Sequence, residues 1–314
     1  MPDKREISQK IKDLAAEIGF DACGICSAGE VDSATKSYLK KWLDESYQAD
    51  MHYMENHWEK RCNPAKLVEG TKSVVCLAIN YYPARKQPSE HPQFAYYAYG
   101  KDYHDVMKAN MQELFDKIKV FIPNLEGRMF CDTAPLLERY WAAKAGIGFI
   151  GKNSLLIIPH KGSYFFLGEL LLNIELAYDE PLGISCGNCN RCIESCPTQA
   201  IVSPYVVDSN KCISYQTIEN KGSISRSIIP NLQNRLYGCD ICQQACPWNR
   251  FALPHTVAEF EPSDAFLSLS TEKLESLSVE EYRTIFKGSA VKRAKYEGLK
   301  RNLEAIKQSL KNVN

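Results

Sequence analysis

The order of apolar and polar positions predicts alternating helices and strands in the first part of the chain. Apolar residues recur at helical spacing from Ile7 to Ile18, which predicts an amphipathic helix over residues 5–19. Further helices are predicted over residues 34–47, 104–120 and 135–144, and strands over residues 21–27, 73–81, 127–132, 154–159 and 163–173. This alternation favours an α/β (α+β) domain over residues 1–180.

Two motifs in this region, a glycine fingerprint and a C-x-x-C pair, match known functional sites, but the elements around them do not. Gly146, Gly148 and Gly151 match the dinucleotide-binding fingerprint by letters, but they follow a helix rather than a strand. We therefore reject a dinucleotide site, although the glycines leave room for backbone to approach a large flat ligand. Cys23 and Cys26 form a C-x-x-C pair inside a predicted strand, so we interpret them as small buried residues rather than a redox pair.

Length, charge and cysteine content narrow the class of protein. The 314 residues can form two domains or one large domain with an inserted module, and a formal net charge of zero gives no global field for nucleic acid or membrane. The first residues show no apolar signal core and no twin arginine, and no apolar run is long enough to span a bilayer. Thirteen cysteines in such a chain indicate metal binding in a reducing cytoplasm.

Eight of these cysteines have a spacing that indicates iron–sulfur clusters. The first run is C-x₂-C-x₂-C-x₃-C-P and comprises Cys186, Cys189, Cys192, Cys196 and Pro197. After Cys212, a second run places Cys239, Cys242 and Cys246 before Pro247. Bacterial ferredoxins hold two 4Fe–4S clusters with this spacing, and the fourth cysteine of a run binds the other cluster.

This ferredoxin rule divides the eight thiolates into two complete ligand sets. The first set comprises Cys186, Cys189, Cys192 and Cys246, and the second comprises Cys196, Cys212, Cys239 and Cys242. Zinc also takes four thiolates, but zinc sites do not require the C-x₂-C-x₂-C-x₃-C-P run. A disulfide framework is typical of secreted proteins, and nothing in the sequence indicates secretion. We therefore predict a ferredoxin-like module over residues 181–250.

The C-terminal segment, residues 251–314, becomes basic toward its end. From Lys287 onward there are eight lysines and arginines but only two glutamates, and the apolar spacing predicts one or two helices with a basic face. Such a face is either a solvated surface or a surface that binds phosphates. The candidate phosphate contacts are Lys292, Arg293, Lys295, Lys300 and Arg301.

Several longer motifs resemble one known family. The segment DTAPLLERYWAAKAGIGFIGKN, residues 132–153, is similar to the epoxyqueuosine reductases, cobalamin-dependent enzymes of the last step of queuosine biosynthesis in tRNA. The resemblance extends through residues 97–104, the double cluster motif, residues 237–249 and residues 288–298, so it covers nearly the whole chain. Some members carry extra C-terminal helical repeats, and this chain resembles the short form.

The resemblance implies two 4Fe–4S clusters beside a corrinoid (cobalamin), with a corrinoid-binding first domain and Asp132 as the proton donor. The corrinoid contacts it implies are Arg61, Tyr97, Asp132, Lys152, Asn153 and Ser154. It also implies a tRNA carrying epoxyqueuosine as substrate and an external electron donor such as a flavodoxin or ferredoxin. The corrinoid signature D-x-H-x-x-G lacks its glycine at Asp102–Met107, so we expect His104 to start a helix or lie in the core rather than bind cobalt.

Asp132 itself has two interpretations. As an acid it needs its proton, which burial beside an apolar macrocycle would favour. Asp132 and Thr133 before a helix started by Pro135 are also good capping chemistry. The residues alone favour the cap, and the resemblance favours the acid.

Two other functions are compatible with the clusters. A reductive dehalogenase pairs the same cofactors with a small organohalide, but those enzymes are usually exported by a twin-arginine signal. A ferredoxin-like electron carrier would not need the long region that precedes the clusters.

Overall fold

The computed structural model of the protein describes residues 3–311. The helices are α1 (Lys4–Ile18), α2 (Ser33–Asp44), α3 (Trp58–Cys62), α4 (Pro64–Leu67), α5 (Tyr103–Phe121), α6 (Glu138–Lys144), α7 (Arg191–Glu194), α8 (Ile213–Ile218), α9 (Ile241–Gln244), α10 (Asp264–Leu267), α11 (Thr271–Ser276), α12 (Val279–Ile285) and α13 (Lys295–Lys311). The strands are β1 (Ala22–Ser27), β2 (Ser73–Asn80), β3 (Gln93–Phe94), β4 (Gly127–Phe130), β5 (Phe149–Ile150), β6 (Leu156–Ile157), β7 (Phe165–Leu172), β8 (Ile201–Ser203), β9 (Val206–Val207) and β10 (Arg235–Tyr237).

A four-stranded sheet in the order β1-β2-β7-β4 forms the centre of the first region. Every pairing in it is antiparallel, so the region is α+β rather than a parallel α/β sheet. Strand β2 is apolar from Val74 to Ile79, and both of its faces are covered. Val75 and Leu77 pack with α1 and α5 on one face, while Val74 and Cys76 pack with α6 on the other.

The main departures from the predicted elements lie on either side of Asp132. Strand β4 ends at Phe130, and α6 begins at Glu138 rather than at Pro135. Asp132 has a positive φ of 58°, which neither a strand nor a right-handed helix accommodates, so the chain leaves both elements at this residue. The predicted strand over 154–159 shortens to β6, which pairs with β5 in a small hairpin. Gly148 lies so close to the Ile157 carbonyl oxygen that a Cβ atom would stand 2.4 Å from it, so this glycine serves the hairpin.

The region after the sheet is joined to the first region by backbone pairing. Strand β10 pairs with β3 in parallel, and the Ala95 N–H donates to the Tyr237 carbonyl at 2.7 Å. A second core unites this segment with the C-terminal helices, through Phe94, Leu236, Phe286 and Leu303 among others. The C-terminal helices therefore pack on the cluster module and on residues 94–99 of the first region. None of the helices in residues 3–311 is both long and apolar enough to cross a membrane.

Candidate active site

The Asp132 turn is the connection between the end of β4 at Phe130 and the start of α6 at Glu138. The Asp132 N–H donates to Glu138 Oε1, a contact that ties the left-handed residue to the helix start. The N-cap position of α6 is Leu137. Asp132 therefore does not cap the helix, and the capping interpretation is wrong.

Helix α5 delivers two side chains to the Asp132 carboxylate. Tyr103 Oη donates to Asp132 Oδ2 at 2.6 Å, and His104 Nε2 lies 3.5 Å from the same oxygen. The other ring nitrogen of His104 lies 2.7 Å from Oδ1 of Asp102, the N-cap residue of α5. His104 starts a helix, as predicted, but it also joins two carboxylates, which the sequence did not indicate.

These contacts determine the protonation of the turn. The hydrogen bonds to Asp102 and Asp132 raise the pKa of His104 to about 9, so the imidazole is cationic at neutral pH. The contact with His104 lowers the pKa of Asp132, against the opposing effect of burial. The Asp132 side chain is 62% exposed and lies beside a cation. The contact with His104 therefore favours the carboxylate form of Asp132, and the expectation that burial beside an apolar macrocycle keeps it protonated stays a prediction.

Of the predicted corrinoid contacts, Tyr97 lies near this turn and Arg61 lies beside Tyr53. Arg61 is buried, with Nη2 donating to the Tyr53 carbonyl at 3.0 Å and Nε without a hydrogen-bond partner among the described residues. Tyr97 donates its hydroxyl to Tyr237 Oη at 3.1 Å, and its ring centroid lies 6.2 Å from that of Tyr103. Tyr103, Glu138 and the half-exposed Tyr53 were not singled out from the sequence.

The other predicted corrinoid contacts form a loop between α6 and the cluster module. Lys152 Nζ donates to Asn190 Oδ1 at 2.8 Å, and Ser154 Oγ donates to the Tyr205 carbonyl. Arg139, the neighbour of Glu138, donates to the Ser154 carbonyl and so links this loop to the Asp132 turn. Asn153 is buried, and its Nδ2 has no partner within residues 3–311.

These surroundings are compatible with a corrinoid. Buried polar groups are normally hydrogen-bonded, so an orphaned donor indicates a missing partner. Arg61 Nε and Asn153 Nδ2 are two such donors, and both belong to residues that the resemblance assigns to the corrinoid. The amide carbonyls around a corrin ring are acceptors of the required kind.

The structure brings several of the module's thiols near one another, and their division between two clusters stays a prediction. Burial raises the pKa of Cys192, and the thiols of Cys186 and Cys246 raise it further. Burial also raises the pKa of Cys246, with Cys186 and Cys189 as the neighbouring thiols. Burial likewise raises the pKa of Cys242 well above its usual value, and its neighbouring thiols are Cys239, Cys212 and Cys196.

The two sets differ in their surroundings, although seven of the eight cysteines are partly exposed and only Cys192, of the first set, is buried. Cys186 and Cys189 lie in a loop whose other residues are mostly exposed, whereas burial raises the pKa of Cys239 to about 12. Among the described residues, no three His, Cys, Asp or Glu side chains come close enough to hold one metal ion. A cubane cluster has four irons and takes one thiolate on each, so its ligands stand further apart. The second set adjoins the Asp132 turn, because Tyr237, two residues before Cys239, contacts Tyr97.

The five candidate phosphate contacts differ in whether the fold already provides them with a partner. Arg293 forms a bidentate pair with Glu219 at 2.8 and 2.7 Å. Lys300 donates to the carbonyls of Leu274 and Glu275, and Arg301 donates to the carbonyls of Gln216, Asn220 and Gly222. Lys292 and Lys295 are exposed and form no ion pair with any residue between 3 and 311. Of the five candidate phosphate contacts, Lys292 and Lys295 are therefore the two without an ion-pair partner among the described residues.

Comparison with known proteins gives consistent matches along the chain. Residues 61–133 match a family model described as epoxyqueuosine reductase QueG, DUF1730, and residues 185–249 match a 4Fe-4S double cluster binding domain. An epoxyqueuosine reductase of Cellulophaga algicola is 44% identical over 307 residues, which cover 98% of this chain and 100% of that protein. One from Escherichia coli is 40% identical and is matched over 93% of this chain and 78% of its own length.

Solved structures give the same result. A crystal structure of epoxyqueuosine reductase with an epoxyqueuosine-modified tRNA-Tyr stem loop has a TM-score of 0.91 at 30% identity, over 98% of this chain and 83% of that one. A structure of epoxyqueuosine reductase from Bacillus subtilis has a TM-score of 0.90 at 29% identity, over 99% of this chain and 83% of that one.

Proposed function

This chain belongs to the epoxyqueuosine reductase family, and we propose how its residues carry out that family's reaction. The protein is an oxidoreductase that reduces epoxyqueuosine to queuosine in the anticodon loop of tRNA, using two 4Fe–4S clusters. The reaction breaks both C–O bonds of the epoxide, forms a C=C bond and releases the oxygen as water. It consumes two electrons and two protons.

We assign the eight cysteines to the two clusters according to the ferredoxin rule. The first set, whose Cys186 and Cys189 lie in an exposed loop, receives electrons from an external donor such as a flavodoxin or ferredoxin, and the second set, which adjoins the Asp132 turn, passes them toward that turn. The corrinoid would be held by Arg61, Tyr97 and the Lys152–Ser154 loop, which includes Asn153. When bound, it would supply the cobalt centre for reduction of the epoxide. The site of action is the cytoplasm, where tRNA is modified.

Asp132 is the acid of the reaction. Tyr103 and His104 orient its carboxylate, and opening of the epoxide develops negative charge on an oxygen that needs protons to leave. The observation that supports this assignment is the contact between the cluster module and the residues around Asp132. Tyr237, beside the second cysteine set, contacts Tyr97, and Tyr97 in turn lies beside Tyr103 and Asp132.

A deletion strain tests the function directly. Mass spectrometry of its tRNA nucleosides should show epoxyqueuosine in place of queuosine, and the wild-type gene should restore queuosine. Unchanged queuosine in the deletion strain would refute the function. Turnover of an organohalide, but not of epoxyqueuosine tRNA, by the purified holoenzyme would favour the reductive dehalogenase instead.

A further inference from the structure

Two cysteines of the second set stand far apart in the sequence but are connected by one buried hydroxyl group. Cys212 is the N-cap residue of α8, and Cys239 is separated from the end of β10 only by Gly238. The Thr217 hydroxyl donates to the carbonyl of Ile213, next to Cys212, at 2.7 Å. It also accepts the N–H of Gly238 at 2.9 Å. One side chain therefore connects the residue after Cys212 to the residue before Cys239.

The backbone at Gly238 explains why an acceptor is needed there. Gly238 has a positive φ of 71°, so the chain turns directly after β10, and a Cβ atom would stand 2.6 Å from the Cβ atom of Ala95. The hydrogen bond of its N–H is buried, and a buried donor without an acceptor is unfavourable. Thr217, which is fully buried, provides the acceptor. The hydroxyl thus holds the chain where it turns toward Cys239.

Helix α13 supports this connection through Asn302. The Asn302 side chain is fully buried, and its Nδ2 donates to the carbonyls of Thr217 at 2.8 Å and Leu236 at 2.9 Å. Its Oδ1 accepts from the Arg301 guanidinium at 2.7 and 3.1 Å, which fixes the orientation of the amide. Thr217 lies in α8 and Leu236 in β10, so Asn302 joins the same two elements as the Thr217 hydroxyl.

The second set depends on tertiary contacts more than the first. Three cysteines of the first set follow one another in the short run that ends at Cys192, so the local chain places them. Cys212 stands alone between the two cysteine runs, and the local chain does not bring it to a partner. Contacts such as those of Thr217 and Asn302 must therefore place it.

We propose that Thr217 and Asn302 are positioning residues of the second 4Fe–4S cluster. By fixing Cys212 relative to Cys239, they maintain the stability and the reduction potential of that cluster. This inference rests on the proposed function, which assigns both cysteines to one cluster. A cubane takes one thiolate on each iron, and its potential depends on the hydrogen bonds to its sulfurs and on its solvent exposure. A loosened connection changes these surroundings at the second cluster alone.

Thr217 also has a purely structural interpretation, as a buried hydroxyl that satisfies nearby backbone groups. Thr217→Val removes the hydroxyl at nearly constant side-chain volume, and Thr217→Ser restores it. Asn302→Ala tests the same connection from α13, so the proposal does not depend on a single variant. All variants are to be made in the full chain with its clusters loaded anaerobically.

The matched controls remove a buried hydroxyl elsewhere. Thr71→Val makes the same substitution in the first region, where the Thr71 hydroxyl donates to the Val68 carbonyl at 2.6 Å. Ser309→Ala changes α13 itself, because Ser309 lies on that helix and donates to the Pro230 carbonyl at 3.3 Å. Neither of these contacts joins α8 to β10.

The test is a redox titration monitored by electron paramagnetic resonance, without tRNA, together with the rate at which a chelator removes iron in air. The signal of the second cluster is the one that disappears in Cys212→Ser. We expect Thr217→Val and Asn302→Ala to shift the midpoint potential of that cluster and to accelerate its iron loss about tenfold, because buried polar groups lose their partners. The first cluster should keep its potential and its iron. Thr217→Ser and both controls should match the wild type.

The outcomes separate this inference from the proposed function. An unchanged potential and an unchanged iron loss of the second cluster in Thr217→Val and Asn302→Ala would overturn the proposal. Equal changes in both clusters, or the same change in Thr71→Val, would trace the effect to a general loosening of the fold and overturn it as well. A wild-type enzyme with both clusters and the corrinoid that does not act on epoxyqueuosine tRNA would instead refute the function, whatever the Thr217 variants show.

Discussion

The cluster module and the Asp132 turn lie side by side but are built in opposite ways. The module draws its eight thiols from one stretch of chain between Cys186 and Cys246, where short helices such as α7 and α9 present them at close spacing. The Asp132 turn draws its charged groups from α5, the β4–α6 connection and α6, which come together only in the folded chain. The module is therefore local in sequence, whereas the Asp132 turn is assembled only when the sheet has formed.

This difference follows from the task of each region, since the module binds metal clusters and the turn transfers protons. A cluster ligand needs a thiolate at the correct spacing, and the inorganic core then draws the ligands together. A proton donor must come within about 2.6–3.2 Å of the group that it serves, so its position depends on the rigid elements behind it. Damage to the module should therefore remove cofactor, whereas damage to the turn should leave every cofactor in place.

Cys212→Ser should have the largest effect and tests the electron side of this comparison. It removes one ligand of the second set, and iron and acid-labile sulfide should fall from about eight to about four each per chain. Turnover should be lost, because electrons no longer reach the site. Metal and sulfide analysis of anaerobically purified protein measures this.

Cys23→Ser is the matched control, since Cys23 lies in β1 outside both sets and should leave the iron content unchanged. A wild-type protein that contains zinc and no sulfide would contradict the cluster assignment altogether.

The sequence anticipated the module well for a physical reason. The C-x₂-C-x₂-C-x₃-C-P spacing encodes geometry directly, so the sets could be written down without a fold. It could not show which set adjoins the Asp132 turn, because that depends on Tyr97 and Tyr237, which meet only through the pairing of β3 with β10.

Asp132→Asn should have the next largest effect and tests the proton side. The amide keeps the size of the side chain but donates no carboxylic proton, so single-turnover rates should fall by about 10²–10⁴. Both clusters and the corrinoid should remain bound, as absorbance spectra would report.

The control for this variant is Asp105→Asn, an exposed residue in the first turn of α5 that should retain the wild-type rate. A near wild-type rate in fully loaded Asp132→Asn would exclude Asp132 as the acid and leave it a structural role in the turn.

The Asp132 turn was only partly predictable. The strand before it was evident from its apolar pattern, and Asp132 was located by resemblance. Its partners were not, because the left-handed backbone at Asp132 delays α6 to Glu138 and brings that carboxyl group under the Asp132 N–H. His104 was predicted only to start a helix or lie in the core, since nothing in the local sequence shows that β4 ends opposite it.

The smallest effect is expected from the exposed lysines, and it should leave both regions intact. Lys292→Glu with Lys295→Glu should weaken tRNA binding and reduce the salt dependence of log K by about 1 per lost phosphate contact, because such contacts release counterions. The change should raise the tRNA concentration needed for turnover but leave single-turnover rates at saturating tRNA unchanged, since the lysines contact neither the cysteines nor Asp132.

Lys10→Glu with Lys119→Glu makes the same charge change on α1 and α5, where each lysine only covers an aromatic ring. Equal tRNA affinity and salt slope in the two double variants would show that Lys292 and Lys295 are a solvated surface. A loss confined to the C-terminal pair would identify the surface that brings tRNA to the Asp132 turn.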